Sequence, residues 1–249
     1  MSGHSKWHSI RFKKGIADAK RGKVFTKHAK LIAIAARAGG DPDMNPALRT
    51  AIENAKAENM PNINIERAIK KGTGEDKDAA QIVEAVYEGY GPGGTALLIQ
   101  TLSDNKNRTV ANMKHIMSKH GGNLGETGSV AYLFDRKGTI VVSLEDKDPE
   151  EAELAAIDAG CADAELDDGS LTLYTAPNEL IHVKDNIADA GYKVESTILS
   201  YIAKNSVRVD NEETARKVLK LMDALDEDED VGEVYSNFDI DESIMEKLS

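Results

Sequence analysis

The sequence of 249 residues has a single cysteine, Cys161, and no long apolar run. One cysteine excludes an intramolecular disulfide and a thiolate-rich zinc site. Because no stretch of about 18 apolar residues exists, no transmembrane helix is expected. No apolar core of roughly 7–15 residues follows the cationic N-terminus, which excludes a secretory signal peptide. Charged residues make up 30% and hydrophobic residues 41% of the chain, as in ordinary globular proteins. We therefore expect a cytoplasmic protein with no membrane contact.

Charge is distributed unevenly along the chain. Residues 1–77, here called the basic head, contain 16 Lys and Arg against 8 Asp and Glu, a net charge of +8. Residues 78–249, here called the acidic body, contain 15 against 35, a net charge of −20. Such an arrangement orients a molecule toward a polyanion, because the head is attracted and the body is repelled. A nucleic acid is therefore the expected partner of the head, and a protein partner is expected to use the acidic body.

The basic head has the apolar periodicity of three helices. Apolar residues recur at helical spacing in VFTKHAKLIAIAARA, NPALRTAIENAKA and NINIERAIKK. Asn45 and Pro46 are typical of a helix start, whereas Pro61 and Gly72 are typical of helix ends. The pattern predicts a basic helical domain over residues 1–78, preceded within it by a loose basic leader of about 20 residues.

The body alternates strand and helix patterns. From Gly138 to about Ile202 the predicted order is strand, helix, strand, strand, helix, strand, with hairpins turning near Lys137-Gly138 and Asp168-Gly169. This is the ferredoxin-like order. The sequence therefore predicts a ferredoxin-like α/β domain over residues 137–202.

The remaining elements predict a second unit of the same kind, split by the first. Strands are expected in TALLIQTLS, VAYLF, SVRVD and VGEVYSNFDI, and one more near residues 80–90 pairs with TALLIQTLS across GPGG. This discontinuous domain covers residues 79–136 and 203–249. The predicted fold class is α+β and multidomain: an N-terminal three-helix domain plus two ferredoxin-like α/β domains, one inserted in the other.

The leader carries the strongest functional signal. Between Lys6 and Lys30 there are nine Lys or Arg residues and one acid, with Trp7 and Phe12 among them. Cations interleaved with aromatics suit phosphate neutralisation and base stacking, although a tail whose charge serves only solubility is the alternative. No zinc-finger spacing or aromatic strand motif predicts a sequence preference. The residues predicted to bind nucleic acid are Lys6, Trp7, Arg11, Lys13, Lys14, Lys20, Arg21, Lys23, Lys27 and Lys30.

A second candidate site lies in SDNKNRT, where Asn105, Lys106, Asn107 and Arg108 stand at a predicted helix start. Free amides and the helix dipole there favour an anion, and simple capping by Asn105 or its neighbour is an equal alternative. The glycine-rich YGPGGTA lacks the Lys-Ser/Thr of a phosphate loop and is predicted to be a tight strand connection.

No metal, cofactor or catalytic residue is expected. His4 and His8 lack a nearby carboxylate. The acidic run DEDED at residues 226–230 lacks calcium-loop spacing and is predicted to be a solvated turn. No nucleophile lies within motif distance of a base, so the chain is predicted not to be an enzyme. Phosphoryl or acyl-phosphate chemistry at Asn107 and Arg108 is the enzymatic alternative.

Several unusual strings occur in one order: GHSKWHSI, KRGKVFTKHAK, AARAGGDPDMNPALRTAIENAKAENMP, NIERAIKKGTG, YEGYGPGG, DNKNRT and VYSNFDI. In these strings the chain resembles the YebC/PmpR family over essentially its whole length. It differs from common members at Asn62-Ile63-Asn64, where a charged pair is usual. The resemblance implies a helical domain followed by two α/β domains, and a cytoplasmic, non-enzymatic role in gene expression.

Three functions follow as hypotheses. The first is a DNA-binding regulator of transcription that docks through the basic head, as bacterial members are described. The second is a translation factor held to ribosomal RNA, since mitochondrial relatives are translational activators. The third is a ligand-sensing or catalytic α/β protein.

Overall fold

The computed structural model describes residues 18–76, 80–145, 147–167 and 169–248. Its helices are α1 (Asp18–Ala35), α2 (Pro46–Ala57), α3 (Asn62–Thr73), α4 (Lys106–Lys119), α5 (Pro149–Ala159), α6 (Leu180–Asp189), α7 (Glu212–Asp226) and α8 (Glu242–Leu248). Its strands are β1 (Val83–Tyr90), β2 (Ala96–Ser103), β3 (Asn123–Leu124), β4 (Phe134–Ser143), β5 (Asp163–Asp167), β6 (Ser170–Thr175), β7 (Lys193–Ala203), β8 (Val207–Val209), β9 (Val231–Ser236) and β10 (Phe238–Ile240). Within these described ranges, no helix combines the length and apolarity needed to cross a membrane.

The three predicted helices of the head are present as α1, α2 and α3. They enclose a small apolar core that includes Ile32, Leu48 and Ile65. The start of α2 is fixed as the sequence indicates: Asn45 Oδ1 accepts from Leu48 N at 3.1 Å, and Pro46 occupies the first turn. The helices therefore form from local signals and are held together by their shared apolar faces.

The first sheet has the strand order β3-β1-β2-β9 and is antiparallel throughout. β1 and β2 form the predicted hairpin across the GPGG turn, where Gly93 and Gly94 have φ of 75° and 74°. The core beside this sheet includes Ile99 of β2, Met113 of α4 and Leu221 of α7. Two helices thus lie over one sheet, as expected for an α+β unit.

The second sheet has the strand order β5-β6-β4-β7, again antiparallel throughout. With α5 and α6 packed in one core against it, the chain order and the sheet order are those of the predicted ferredoxin-like unit. Asp148 caps α5 by accepting from Glu150 N and Glu151 N, as its position before Pro149 predicts.

The hairpin predicted at Lys137-Gly138 is wrong. β4 continues straight through these residues, and Gly138 pairs with Thr175 on one side and with Leu199 on the other. A side chain at Gly138 would collide with Thr175 Oγ1 and come within 2.8 Å of Leu180 Cδ1. The glycine therefore serves close packing in the middle of a strand rather than a turn.

The strand set of the first sheet also differs from the predicted one. Residues 131–133 form a 3₁₀ turn, and β8, expected in this sheet, instead pairs in parallel with β10. β1, which the sequence placed as an additional strand, lies at the centre of the sheet beside β2. A short turn joins β1 to β2, and the two strands pair over eight residue pairs. Pairing of strands that are close in sequence costs less loop-closure entropy than pairing with a distant strand.

The two connections to the second sheet run side by side, because Phe134 pairs with Ala203 and Lys204 N donates to Leu133 O at 2.9 Å. This geometry supports an inserted unit. The division into domains at residues 78, 136 and 202 stays a prediction, and the strands of the second sheet extend from Phe134 to Ala203, slightly beyond the predicted insert.

The head lies against both sheets. Asn54 of α2 bonds to the backbone of Thr197 in β7: its Nδ2 donates to Thr197 O at 2.7 Å and its Oδ1 accepts from Thr197 N at 3.0 Å. Ala33 of α1 packs with Ile82 and Leu102 next to the first sheet. The amide of Asn54 satisfies polar backbone groups on an edge strand, which would otherwise be open to pairing with another chain.

Candidate nucleic-acid interface

Of the residues predicted to bind nucleic acid, some lie within the part of the chain that the structure describes and others do not. Lys6, Trp7, Arg11, Lys13 and Lys14 lie outside the described residues. Lys20, Arg21, Lys23, Lys27 and Lys30 belong to α1. The spacings of four and three residues from Lys23 through Lys27 to Lys30 put these three on one stripe of the helix.

The C-terminal part of this stripe meets the acidic body. Lys27 Nζ lies 2.6 Å from Glu233 Oε2, and Lys30 Nζ donates to Glu229 O at 2.6 Å and lies 3.5 Å from Asp230 Oδ1. The Lys27 and Lys30 side chains are 30% and 17% exposed, whereas those of Glu233 and Asp230 are 9% and 5% exposed. Both lysines therefore already have carboxylate partners within the chain.

Asp230 is the centre of this contact. Its carboxylate accepts from Arg108 Nη2 at 2.9 Å and from Thr109 Oγ1 at 2.9 Å, besides facing Lys30. Burial alone would raise the pKa of Asp230, but the hydrogen bonds from Arg108, Thr109 and Ser103 and the charge of Lys30 outweigh it, so the pKa is lowered. The expectation that residues 226–230 form a solvated turn is therefore wrong at Asp230.

The predicted anion site at the start of α4 is assembled, but its arginine is occupied. Asn105 Oδ1 caps α4 by accepting from Arg108 N at 3.1 Å. The Arg108 guanidinium binds Asp230 and also lies 3.0 Å from Asp104 Oδ1, and these hydrogen bonds, chiefly that to Asp230, raise its pKa. Lys106 and Asn107 are exposed on the same turn. An anion bound here would compete with two carboxylates, and its binding stays a prediction.

Further cations of the head are exposed on surfaces that the sequence analysis did not single out. Arg37, Lys56, Arg67 and Lys70 are all exposed, and none forms an ion pair among the described residues. Arg67 and Lys70 follow Ile63 at helical spacing on α3, opposite the buried Ile65. That spacing is the signal that could have identified them.

Glu88 was also missed by the sequence analysis. Its carboxylate is buried in β1 and accepts from the backbone N–H of Gly128 at 2.6 Å and of Val130 and Ala131 at 2.7 Å. Burial would raise the pKa of Glu88, but these three donors outweigh it and the pKa is lowered. The carboxylate thereby fixes the loop between β3 and β4. A lone acid in an alternating strand gives no sequence signal for this role.

Within the described residues, no group of three or more His, Cys, Asp or Glu side chains is placed to hold a metal ion.

Two family models match the chain. The model described as "TACO1/YebC protein N-terminal domain" matches residues 5–75, and "TACO1/YebC second and third domain" matches residues 82–238. The chain belongs to the TACO1/YebC family. The resemblance drawn from the sequence motifs is confirmed.

Members of the TACO1/YebC family from several bacteria align over the full chain. A protein of Halothermothrix orenii is 51% identical over 252 residues, covering 100% of this chain and 99% of its own length. One of Persephonella marina is 50% identical, covering 100% of both. Each is named "Probable transcriptional regulatory protein". A solved structure of the conserved hypothetical protein Aq1575 from Aquifex aeolicus is 46% identical, with a TM-score of 0.87 over 92% of this chain and 95% of that one.

Proposed function

We propose that this protein is a non-enzymatic regulator of transcription that binds duplex DNA through its basic head. The observation that carries the proposal is the separation of charge: a head of net charge +8 on a body of net charge −20. Exposed cations of the head, such as Arg37 and Arg67, have no ion-pair partner among the described residues. The names of the bacterial relatives support a role in transcription.

The physical basis is phosphate neutralisation. Each Lys or Arg that contacts a phosphate releases condensed counterions, which makes the affinity strongly dependent on salt. The acidic sheets repel phosphate, so the DNA meets only the head, and the sheets serve a protein partner. In this proposal the leader residues Lys6, Arg11, Lys13 and Lys14 contact phosphates, while Lys27 and Lys30 hold the head against the body through Glu233 and Asp230.

A second candidate function is that of a translation factor held to ribosomal RNA. The observation that favours it is Trp7, which stands among cations in the leader. Indole rings stack on unpaired bases, which are abundant in folded RNA and absent from intact duplex DNA. Replacing Trp7 therefore discriminates between the two targets.

The test compares the full chain with a triple variant, Arg11→Ala, Lys13→Ala and Lys14→Ala, for binding to a fluorescent 24-base-pair DNA duplex and to purified ribosomes. We expect the triple variant to bind duplex DNA more weakly at every sequence, with a salt slope lower by roughly one unit per lost contact. Lys220→Ala is the matched control, since Lys220 is an exposed cation on α7 of the acidic body. Equal binding of the triple variant and the wild type at low salt would refute the role of the leader.

The outcome with Trp7→Ala decides between the targets. A loss of roughly 1–3 kcal/mol in ribosome affinity with little change in salt slope, beside unchanged DNA affinity, would favour the translation factor. Unchanged affinity for both targets with lowered stability would mean that Trp7 packs on the protein.

The absence of catalysis belongs to the same proposal and has its own test. Purified protein is assayed for phosphatase and nuclease turnover together with Arg108→Ala. Turnover that disappears in this variant while its unfolding midpoint is unchanged would contradict a non-enzymatic function.

A further inference from the structure

The connection between α2 and α3 has the length of the turn in a helix–turn–helix motif. Only residues 58–61 join the two helices, and Asn59 within them adopts the left-handed conformation with φ of 59°. The turn is held by its own backbone bonds: Asn59 N donates to Lys56 O at 2.9 Å and Met60 N to Ala55 O at 3.0 Å. The Met60 side chain is buried in the core of the head. The start of α3 is therefore fixed relative to α2.

One side of α3 is fully used for packing. Ile65 and Ala68 are buried, and Gly72 lies so close to α1 that a side chain there would collide with Ala33 O and come within 2.7 Å of Ala36 Cβ. The helix is thus packed closely against α1, and only its other side remains open to a ligand.

The other side of α3 faces solvent and has an unusual composition. Asn62, Ile63, Glu66, Arg67 and Lys70 are all exposed, and Ile63 is 62% exposed. The side chains of Asn62, Arg67 and Lys70 make no hydrogen bond or ion pair among the described residues. Ile63 places an exposed apolar side chain in the first turn of α3, and an apolar side chain there suits contact with the methyl group of thymine.

We propose that α3 is a recognition helix that enters the major groove of B-form DNA. In such proteins the first turn of the second helix contacts base edges. Asn62 and Ile63 occupy that turn, and their side chains suit adenine and thymine. Arg67 and Lys70 lie one and two turns further along, where Arg67 reaches a guanine edge and Lys70 the phosphates. This inference rests on the proposed function and names the groove and the reading residues.

The proposal is specific for duplex DNA. The major groove of B-DNA, about 12 Å wide, admits an α-helix. The major groove of A-form RNA is too narrow for side chains to read its base edges. The shape and chemistry of the α3 face therefore predict a preference for DNA over double-stranded RNA.

The test uses the full chain and a library of DNA duplexes with a randomised central segment. Bound duplexes are selected, and affinity is then measured on the enriched sequence for the wild type, Ile63→Ala, Asn62→Ala, Arg67→Ala and the control Lys220→Ala. We expect Arg67→Ala to weaken binding about tenfold, and Ile63→Ala and Asn62→Ala to change the enriched sequence without changing the salt slope. Methylation of guanine N7, which lies in the major groove, should interfere with binding of the wild type.

Four results would overturn the proposal. If the wild type binds duplex DNA but the α3 variants bind with unchanged affinity and enrich the same sequences, α3 is not the reading element, and the proposed function stands. If guanine N7 methylation has no effect on binding, the contact is not in the major groove. If α3 variants weaken binding only to double-stranded RNA or ribosomes, the target is RNA. If the wild type binds no DNA duplex, both the inference and the proposed function fail. Circular dichroism and thermal unfolding of each variant ensure that a loss of binding is not a loss of folding, since all the replaced side chains are exposed.

Discussion

Arg108 at the start of α4 and Asp230 immediately before β9 form a bidentate ion pair, although 122 positions separate them: Nη2 lies 2.9 Å from Oδ1 and Nε 3.2 Å from Oδ2. The same carboxylate accepts from Thr109 and faces Lys30 of the head. One buried negative charge therefore joins α4, the end of the α7–β9 connection and α1. Together with the ion pair of Lys27 and Glu233, it connects the head to the first sheet.

Replacing Asp230 with Asn should reduce the free energy of unfolding by about 1–3 kcal/mol, because the hydrogen bonds of a charged acceptor are replaced by those of a neutral amide. Urea denaturation at pH 7 measures this loss. Asp158→Asn is the control, since Asp158 is an exposed acid on α5 and its replacement changes the charge equally. Equal stability of Asp230→Asn and Asp158→Asn would contradict the central role of Asp230.

Glu88→Gln should lower stability by roughly 1.5–3 kcal/mol, since the amide group replaces one acceptor oxygen with a donor that faces backbone N–H groups. Hydrogen exchange should become faster at Gly128, Val130 and Ala131. Because the pKa of folded Glu88 is below its ordinary value of 4.5, its contribution is complete at neutral pH and is lost as the pH falls below that value. Unchanged exchange at these three amides would show that the loop does not depend on Glu88.

His28 should make the fold sensitive to mild acid. Burial, with a smaller effect of Lys27, lowers the pKa of His28 from 6.5 to about 4, and its buried Nδ1 has no hydrogen-bond partner among the described residues. As the pH falls from 6.5 to 4, the unfolded chain takes up a proton that the folded chain does not, so stability falls by up to about 3 kcal/mol. The free energy of unfolding, measured across this pH range, should fall less steeply for His28→Gln than for the wild type. Parallel curves of stability against pH for the two proteins would contradict the lowered pKa of His28.

Two glycines on helices of the head should respond in opposite directions. Gly72→Ala should destabilise by about 1–3 kcal/mol, because the added methyl group overlaps Ala33 O and Ala36 at the contact between α3 and α1. Gly22→Ala should stabilise by about 0.5–1 kcal/mol, since nothing lies within 4 Å of its added Cβ and alanine favours the helix. Thermal unfolding of both variants measures the difference, and a stabilised Gly72→Ala would refute the close helix contact.

Replacing residues 137–202 with a short Gly/Ser linker should leave the first sheet folded and cooperative, because Phe134 and Ala203 already pair at the junction. We expect a lower urea midpoint of unfolding, because the replacement removes two contacts. The ring of Tyr201 lies 5.3 Å from that of Tyr235, and Thr197 bonds to Asn54 of the head. Urea unfolding, monitored by the dispersed NMR signals of residues in the first sheet, measures the midpoint and the cooperativity. Non-cooperative unfolding would count against an inserted domain.

Much of the fold could be predicted because its signals are local. Asn45, Asn105 and Asn211 each accept from a backbone N–H three residues ahead, so the helix start depends only on neighbouring residues. The order of strands and helices in the second sheet followed from the same kind of signal. The candidate site could be predicted only as a charge bias, because the spacing of cations gives their helix face and not what that face contacts.

By itself the sequence determined the helices, their caps, the ferredoxin-like element order and the opposite charges of head and body, since each depends on neighbouring residues or on composition. Only the tertiary structure decided which acids are buried and which cations are free. Asp230 lies in an acidic run like any solvated turn, and Gly138 lies where a hairpin was expected. The first is buried because Arg108, Thr109 and Lys30 converge on it, and the second remains in a strand because Thr175 and Leu180 leave no room for a side chain. Desolvation and steric contact between distant residues carry no local pattern, and so they became visible only in the folded chain.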